Sequence, residues 1–237
     1  MLNAISLNKK FGDEHVLKNI SVEVNKGETL SVLGKSGCGK TTLLKILAGL
    51  EEEDNGEIYI NQQLINDLSP QQRKVIYLSQ ETLLFPHLSV FDNIAFGLKI
   101  RKIEKKEIEN SVNEMLKSLD LTNQSNKMPH QISGGQQQRV SFGRALIINP
   151  SVLLLDEPFG KLDADTRKQM QDFYRTISLQ FSITSLFVTH DLKEAMTMGN
   201  KIGYMEAGQL RIYKTIHEFI NDPKTGAANE RDFWRTI

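Results

Sequence analysis

The chain has 237 residues, enough for one large domain or two small ones around a sizeable buried core. Its 39% hydrophobic and 24% charged content is that of a soluble globular protein, and 29 basic against 29 acidic side chains leave no basic footprint for nucleic acid. No apolar run approaches the roughly 18 residues of a membrane span, the opening residues lack the charged-then-apolar pattern of a signal peptide, and one cysteine, Cys38, excludes an internal disulfide.

The opening thirty-odd residues read as strands with turns: Ala4 to Leu7, a turn at Gly12-Asp13, Ser21 to Val24, and a turn at Asn25-Lys26-Gly27. Thr29 to Leu33 is a strand that feeds a glycine-rich loop, and Thr41 to Leu50 has the apolar spacing of a helix. Asp54-Asn55-Gly56 is a turn before a strand at Glu57 to Ile60, and a further strand at Val75 to Leu78 leads to Gln80. From Val90 to Ile148 the pattern becomes helical: Val90 to Arg101, Glu104 to Leu119, and Gln136 to Ile148. The charge-dense Lys102 to Glu109 reads as a solvated helix face. After Pro150, strands at Val152 to Leu155, Thr184 to Val188 and Lys201 to Met205 alternate with helices at Asp165 to Gln180 and Asp191 to Met198. Such alternation predicts a parallel α/β sheet, with the helical block (about residues 83–148) inserted into a single domain spanning 1–237.

Gly34-Lys35-Ser36-Gly37-Cys38-Gly39-Lys40-Thr41-Thr42 fits the phosphate-binding pattern of a P-loop. Its glycines let successive N–H groups face the phosphates at a helix N-terminus; Lys40 is expected on the β- and γ-phosphates and the Thr41 hydroxyl on magnesium. Val152 to Leu155 delivers two carboxylates: Asp156 suits the magnesium shell, directly or through water, and Glu157 can polarise an attacking water. Gln80 follows a strand and reads as a surface residue or as a reporter of the γ-phosphate to the helical block; His190 ends a strand and reads as structural or as a donor to the γ-phosphate that holds Glu157 and the water. A second glycine loop, Ser133-Gly134-Gly135-Gln136, cannot serve the same phosphate as the first. The histidines at 15, 87, 130, 190 and 217 lack ligand spacing for zinc.

Over nearly its whole length the chain resembles the nucleotide-binding domains of ABC transporters. In that pattern Gly34 to Thr41 is Walker A, Gln80 the Q-loop, Ile132 to Gln136 the signature, Val152 to Glu157 Walker B, Gly160 to Asp163 the D-loop and His190 the switch. Each motif alone is weak, but six in this order are specific. The resemblance implies a P-loop NTPase core with a parallel sheet, a helical insertion and a small antiparallel β region. It also implies ATP and magnesium as ligands, with Thr41, Gln80 and Asp156 on the metal and Glu157 as catalytic base beside His190. A head-to-tail homodimer follows, in which Ser133, Gly134, Gly135 and Gln136 of one copy close on the nucleotide of the other, with Asp163 at the contact. Phe11 takes the place of an adenine-stacking tyrosine.

The stretch Leu84 to Leu98 is similar to importers of polyamines, iron, sulfate, sugars or thiamine, where the surrounding surface receives a membrane subunit; packing of an apolar helix explains the same residues. Expected partners are therefore transmembrane permease subunits and a solute-binding protein, with the chain peripheral on the cytoplasmic face of the inner membrane and no nucleic acid. Lys161 replaces a small D-loop residue, Gly143 is unusual inside the signature helix, and no C-terminal regulatory β-domain is expected. An exporter or lipoprotein-release ATPase, a soluble ABC protein of translation or DNA repair, and a non-catalytic ATP-binding scaffold are the rival readings. Intact Lys40 and Glu157 argue against the last.

Overall fold

The computed structural model describes residues 1–228, so the last nine residues of the expected domain lie outside the described part. Strands β1 (Leu2–Phe11) and β2 (Glu14–Val24) form a long antiparallel hairpin about Gly12. Next come β3 (Thr29–Gly34), α1 (Lys40–Ala48), β4 (Asn55–Ile60), β5 (Gln63–Leu64) and β6 (Val75–Leu78). Helices α2 (Val90–Ile100), α3 (Lys105–Ser118) and α4 (Gly134–Leu146) follow, then β7 (Val152–Asp156), α5 (Ala164–Gln180), β8 (Ser185–Thr189) and α6 (Leu192–Met198). The hairpin β9 (Lys201–Glu206) and β10 (Gln209–Tyr213) precedes the short α7 (Ile216–Asn221).

Two compact units emerge. The first comprises residues 1–77, 151–157 and 181–228. It holds an antiparallel sheet in the order β2-β1-β4-β5 and a six-stranded sheet in the order β10-β9-β3-β8-β7-β6. In the latter, β9, β3, β8 and β7 run parallel, as the alternation of strands and helices predicts. Strands β3, β7 and β8 are buried along their whole length, which is why they read as apolar runs and not as alternating ones. Helix α1 packs Leu43, Leu44, Ile46 and Leu47 into this core. Its C-terminus is held by Arg73, whose guanidinium donates to the carbonyls of Ile46 (2.8 Å), Asn66 (2.8 Å) and Leu68 (2.9 Å). The Ile46 carbonyl, which also accepts from the Gly49 amide at 3.0 Å, thereby gains a second donor at the helix end.

The second unit comprises 78–150 and 158–180, and it centres on Phe142, Phe159 and Tyr174, whose rings lie 5.6–6.4 Å apart. In α3 the buried residues are Ile108, Val112, Met115 and Leu116, one apolar stripe under an otherwise charged helix. Gly143 of α4 has a packing cause. A Cβ there would stand 2.5 Å from Leu119 Cδ1 and 3.3 Å from Ile94, so a larger residue would require the Leu119 side chain to move.

Candidate active site

The glycine-rich loop joins β3 to α1 as its spacing predicts. Gly34 is obligatory: a Cβ would lie 2.4 Å from the carbonyl oxygen of Met205 and 2.7 Å from Cys38 Sγ. The loop therefore runs tight against β9, leaving its outer side to line a cleft. That cleft, of about 350 Å³, is bounded by Phe11, Ser36, Gly37, Lys40, Thr41 and Glu157, with Val16, Gly39 and Thr42 behind them.

Lys40 is 5% exposed, and its ammonium donates to the carbonyls of Gly34 (2.7 Å) and Lys35 (3.1 Å). An ammonium has three N–H groups, so one remains for an anion in the cleft. Burial pushes the Cys38 thiol up, against the opposing pull of Lys40. Phe11 is exposed, and Lys9 Nζ lies 5.1 Å from its ring centroid.

Asp156 ends β7 at 8% exposure. The Thr41 hydroxyl donates to its Oδ1 at 3.2 Å and the Tyr77 hydroxyl to its Oδ2 at 2.7 Å. A hydroxyl that donates to a carboxylate keeps its own lone pairs free, so Thr41 and Asp156 together present hard oxygen donors that fit magnesium. Burial first, and the Asp156 carboxylate second, push the Tyr77 hydroxyl far up, so it stays a donor.

One residue further, Glu157 stands at φ 46, a left-handed conformation that a non-glycine residue adopts at a cost of order 1–3 kcal/mol. Its amide donates to the Val188 carbonyl at 3.0 Å, anchoring it to β8. Glu157 lines the same cleft as Lys40 and Thr41. Glu157 Oε2 accepts from the Nδ1–H of His190 at 2.9 Å. His190 sits beyond β8 on a turn fixed from behind. The Thr189 hydroxyl bonds the buried Glu194 carboxylate and accepts from the Asp191 amide, and Asp191 caps α6.

The remaining expected site residues belong to the second unit. Gln80 is exposed two residues past the end of β6. Ser133, Gly134, Gly135 and Gln136 do not form a free loop: α4 begins at Gly134, two residues earlier than its apolar spacing indicates. Ser133 Oγ accepts from the Gln136 amide (3.3 Å) and Gln136 Oε1 from the Ser133 amide (3.0 Å), a reciprocal capping box at the start of the helix. Ser133, Gly135 and Gln136 line a polar cleft of about 340 Å³ with Asp120, Arg139 and Thr166. The Asp163 carboxylate accepts from the Thr166 amide at 3.0 Å, at the entry to α5, and this donor holds its carboxyl below the usual value. Lys161 pairs with Glu81 at 2.8 Å.

A model of the ABC transporter family matches residues 17–160. The chain belongs to the ABC transporter family. Among its relatives, the spermidine/putrescine import ATP-binding protein PotA of Clostridium novyi is 45% identical over 216 residues, 91% of this chain and 62% of the relative. The Fe(3+) ions import ATP-binding protein FbpC of Photobacterium profundum is 44% identical over 228 residues, 93% of this chain and 65% of the relative. The chain thus spans somewhat under two thirds of the length of these relatives. A dimeric, post-hydrolysis structure of the ATP-binding cassette MJ0796 bound to ADP and Pi superposes with a TM-score of 0.77 at 31% identity, covering 90% of this chain and 98% of that one.

Two ABC-cassette residues escape a motif reading. Tyr77 sits in a strand that reads as apolar, with nothing nearby to reveal what its hydroxyl meets. Gln138 is buried in α4, where its Oε1 accepts from Thr82 at 2.6 Å and its Nε2 donates to the Pro158 carbonyl at 3.0 Å. It ties the segment after Gln80 to the residue that follows Glu157. The signal available in the sequence is a third glutamine directly after the signature.

Proposed function

We propose that this chain is the ATP-hydrolysing subunit of an ABC importer, turning ATP and water into ADP and phosphate to drive solute uptake through membrane subunits. The observation that carries the reading is that Glu157, aimed by its backbone turn and held by His190, lines the same cleft as Lys40 and Thr41. In that arrangement Gly34 to Thr42 grip the phosphates through backbone amides and Lys40 supplies the charge on the β- and γ-oxygens. Glu157 takes up the proton of the attacking water, and His190 holds Glu157 in place and faces the γ-phosphate. Magnesium, held by Thr41 with Asp156 beside it, would neutralise charge developing on the phosphates. Phe11 offers its ring to adenine.

The chain acts as a head-to-tail homodimer in this proposal: Ser133 to Gln136, at the N-terminus of α4, close on the nucleotide held by the other copy, and Asp163 lies at the same contact. The import direction is supported by relatives named as import ATP-binding proteins, and a dimer by the cassette MJ0796. No helix among the described residues is long and apolar enough to cross a membrane, so permease subunits would hold the chain at the cytoplasmic face, with a solute-binding protein outside. Leu83, 63% exposed beside the loop that Asn93 fixes from Phe85 to Ser89, offers those subunits an apolar contact. Affinity purification of the tagged chain from its own membranes tests the proposal. Magnesium-dependent ATP hydrolysis in a complex with polytopic membrane proteins is expected; a chain that purifies without them and hydrolyses no ATP contradicts it.

A further inference from the structure

Behind the metal-binding side of the cleft stands a hydroxyl that none of the motifs contains. Tyr77 reaches from β6 to Asp156 Oδ2 (2.7 Å), while Asp156 Oδ1 takes the Thr41 hydroxyl (3.2 Å). A carboxylate gripped at one oxygen cannot turn about its own bond without breaking that contact. The direction of its second oxygen is thereby fixed, and so is the direction in which Thr41 must point its hydrogen. Only while that hydrogen points at Asp156 do the lone pairs of Thr41 Oγ1 face outward for a cation. We propose that Tyr77 is a positioning residue for the magnesium site, acting through Asp156 to aim the Thr41 oxygen. The inference rests on the reading of Thr41 and Asp156 as the metal side of an ATP site. Tyr77 bonds Asp156 and is not among the residues that line the Lys40 cleft.

Outer hydrogen-bond partners of metal ligands typically set metal affinity by 10- to 100-fold. Tyr77→Phe removes the donor and keeps the ring. The binding of a fluorescent ATP analogue is measured in excess chelator and across a magnesium titration. The variant is expected to match wild type without metal, within about twofold, and to need about tenfold or more magnesium to reach its half-maximal effect. An unchanged magnesium midpoint, or an equal loss of affinity with and without metal, overturns the proposal. A wild-type protein that binds no analogue refutes the underlying ATP-site reading instead, so the two failures are distinguishable. A second measurement needs no folded variant at position 77. With 13Cζ-tyrosine labelling and the five tyrosines assigned through single substitutions at the other four, the Tyr77 resonance of the wild-type ATP complex is expected to move when magnesium is added. A stationary line overturns the proposal equally.

Discussion

Glu157 and His190 meet at 2.9 Å, carboxylate to imidazole, and Glu157 makes the contact from a left-handed backbone at φ 46. A strand that simply continued past Asp156 would place the next side chain by its alternation. The turn re-aims it toward the cleft that Lys40 lines, and the histidine holds it there.

Glu157→Gln should therefore preserve ATP binding and lower turnover by about 10²–10⁴-fold, the usual contribution of a positioned general base. An amide accepts the His190 hydrogen bond but takes no proton from water. The same substitution should convert a transient ATP dimer into a stable one. Single-turnover hydrolysis and size-exclusion chromatography with ATP check both; wild-type turnover would remove Glu157 from its role.

Lys40→Ala should weaken ATP binding by about 10- to 100-fold, since a charge-assisted hydrogen bond contributes roughly 1.5–3 kcal/mol. Unchanged affinity in a fluorescent-nucleotide titration would show that the phosphates lie elsewhere.

Cys38 lies in the same loop with its thiol pushed up by burial. Since the thiolate is the reacting form, labelling by a bulky maleimide should be slow near neutrality and still accelerate beyond the ordinary thiol value of about 8.5. Bound ATP should protect it. A labelling rate that levels off below that pH, or is indifferent to ATP, goes against this placement.

Gln138→Met keeps much of the volume but strips two hydrogen bonds from buried surroundings. Leaving the Pro158 carbonyl and Thr82 hydroxyl without a partner should cost about 2 kcal/mol and lower the melting temperature by roughly 4–8 °C. Thermal melts of this variant and of Thr82→Val, which removes one of the two bonds, should show the first to be the larger loss.

The parallel strands and the phosphate loop were legible because their constraints are local. A buried strand reads as an apolar run, and the close pass of Gly34 by Met205 admits no side chain. The first hairpin was only partly legible. Expected at Ala4 to Leu7 and Ser21 to Val24, its strands run over Leu2–Phe11 and Glu14–Val24. Ser6 and Asn19 adopt positive φ there, and the register shifts between Ala4 and Leu7 break the alternation by which strands are read. Strand β10 and helix α7 carry too few buried residues to leave a pattern. At the site, the pairing of Glu157 with His190 was a question of geometry that spacing could not answer. Tyr77 stayed hidden because a strand tyrosine has no spacing of its own. The glycines of Ser133 to Gln136 suggested a loop, whereas the capping box makes them the first turn of a helix.

Two copies of the chain share each ATP site in the proposed dimer, and mixing two variants checks this. Gly135→Asp places bulk and like charge where the neighbour's γ-phosphate would lie, while an acidic residue in the first turn of α4 suits the helix dipole and leaves the helix intact. This variant should bind ATP as a monomer and hydrolyse none. Lys40→Ala should fail for the opposite reason, with an intact Ser133 to Gly135 and a weakened phosphate grip. In their heterodimer one site combines the sound phosphate loop of the first with the sound helix turn of the second, and both defects fall in the other site. The mixture should recover hydrolysis that neither variant shows alone. A mixture as inactive as its components, or a Gly135→Asp monomer that no longer binds ATP, would contradict it.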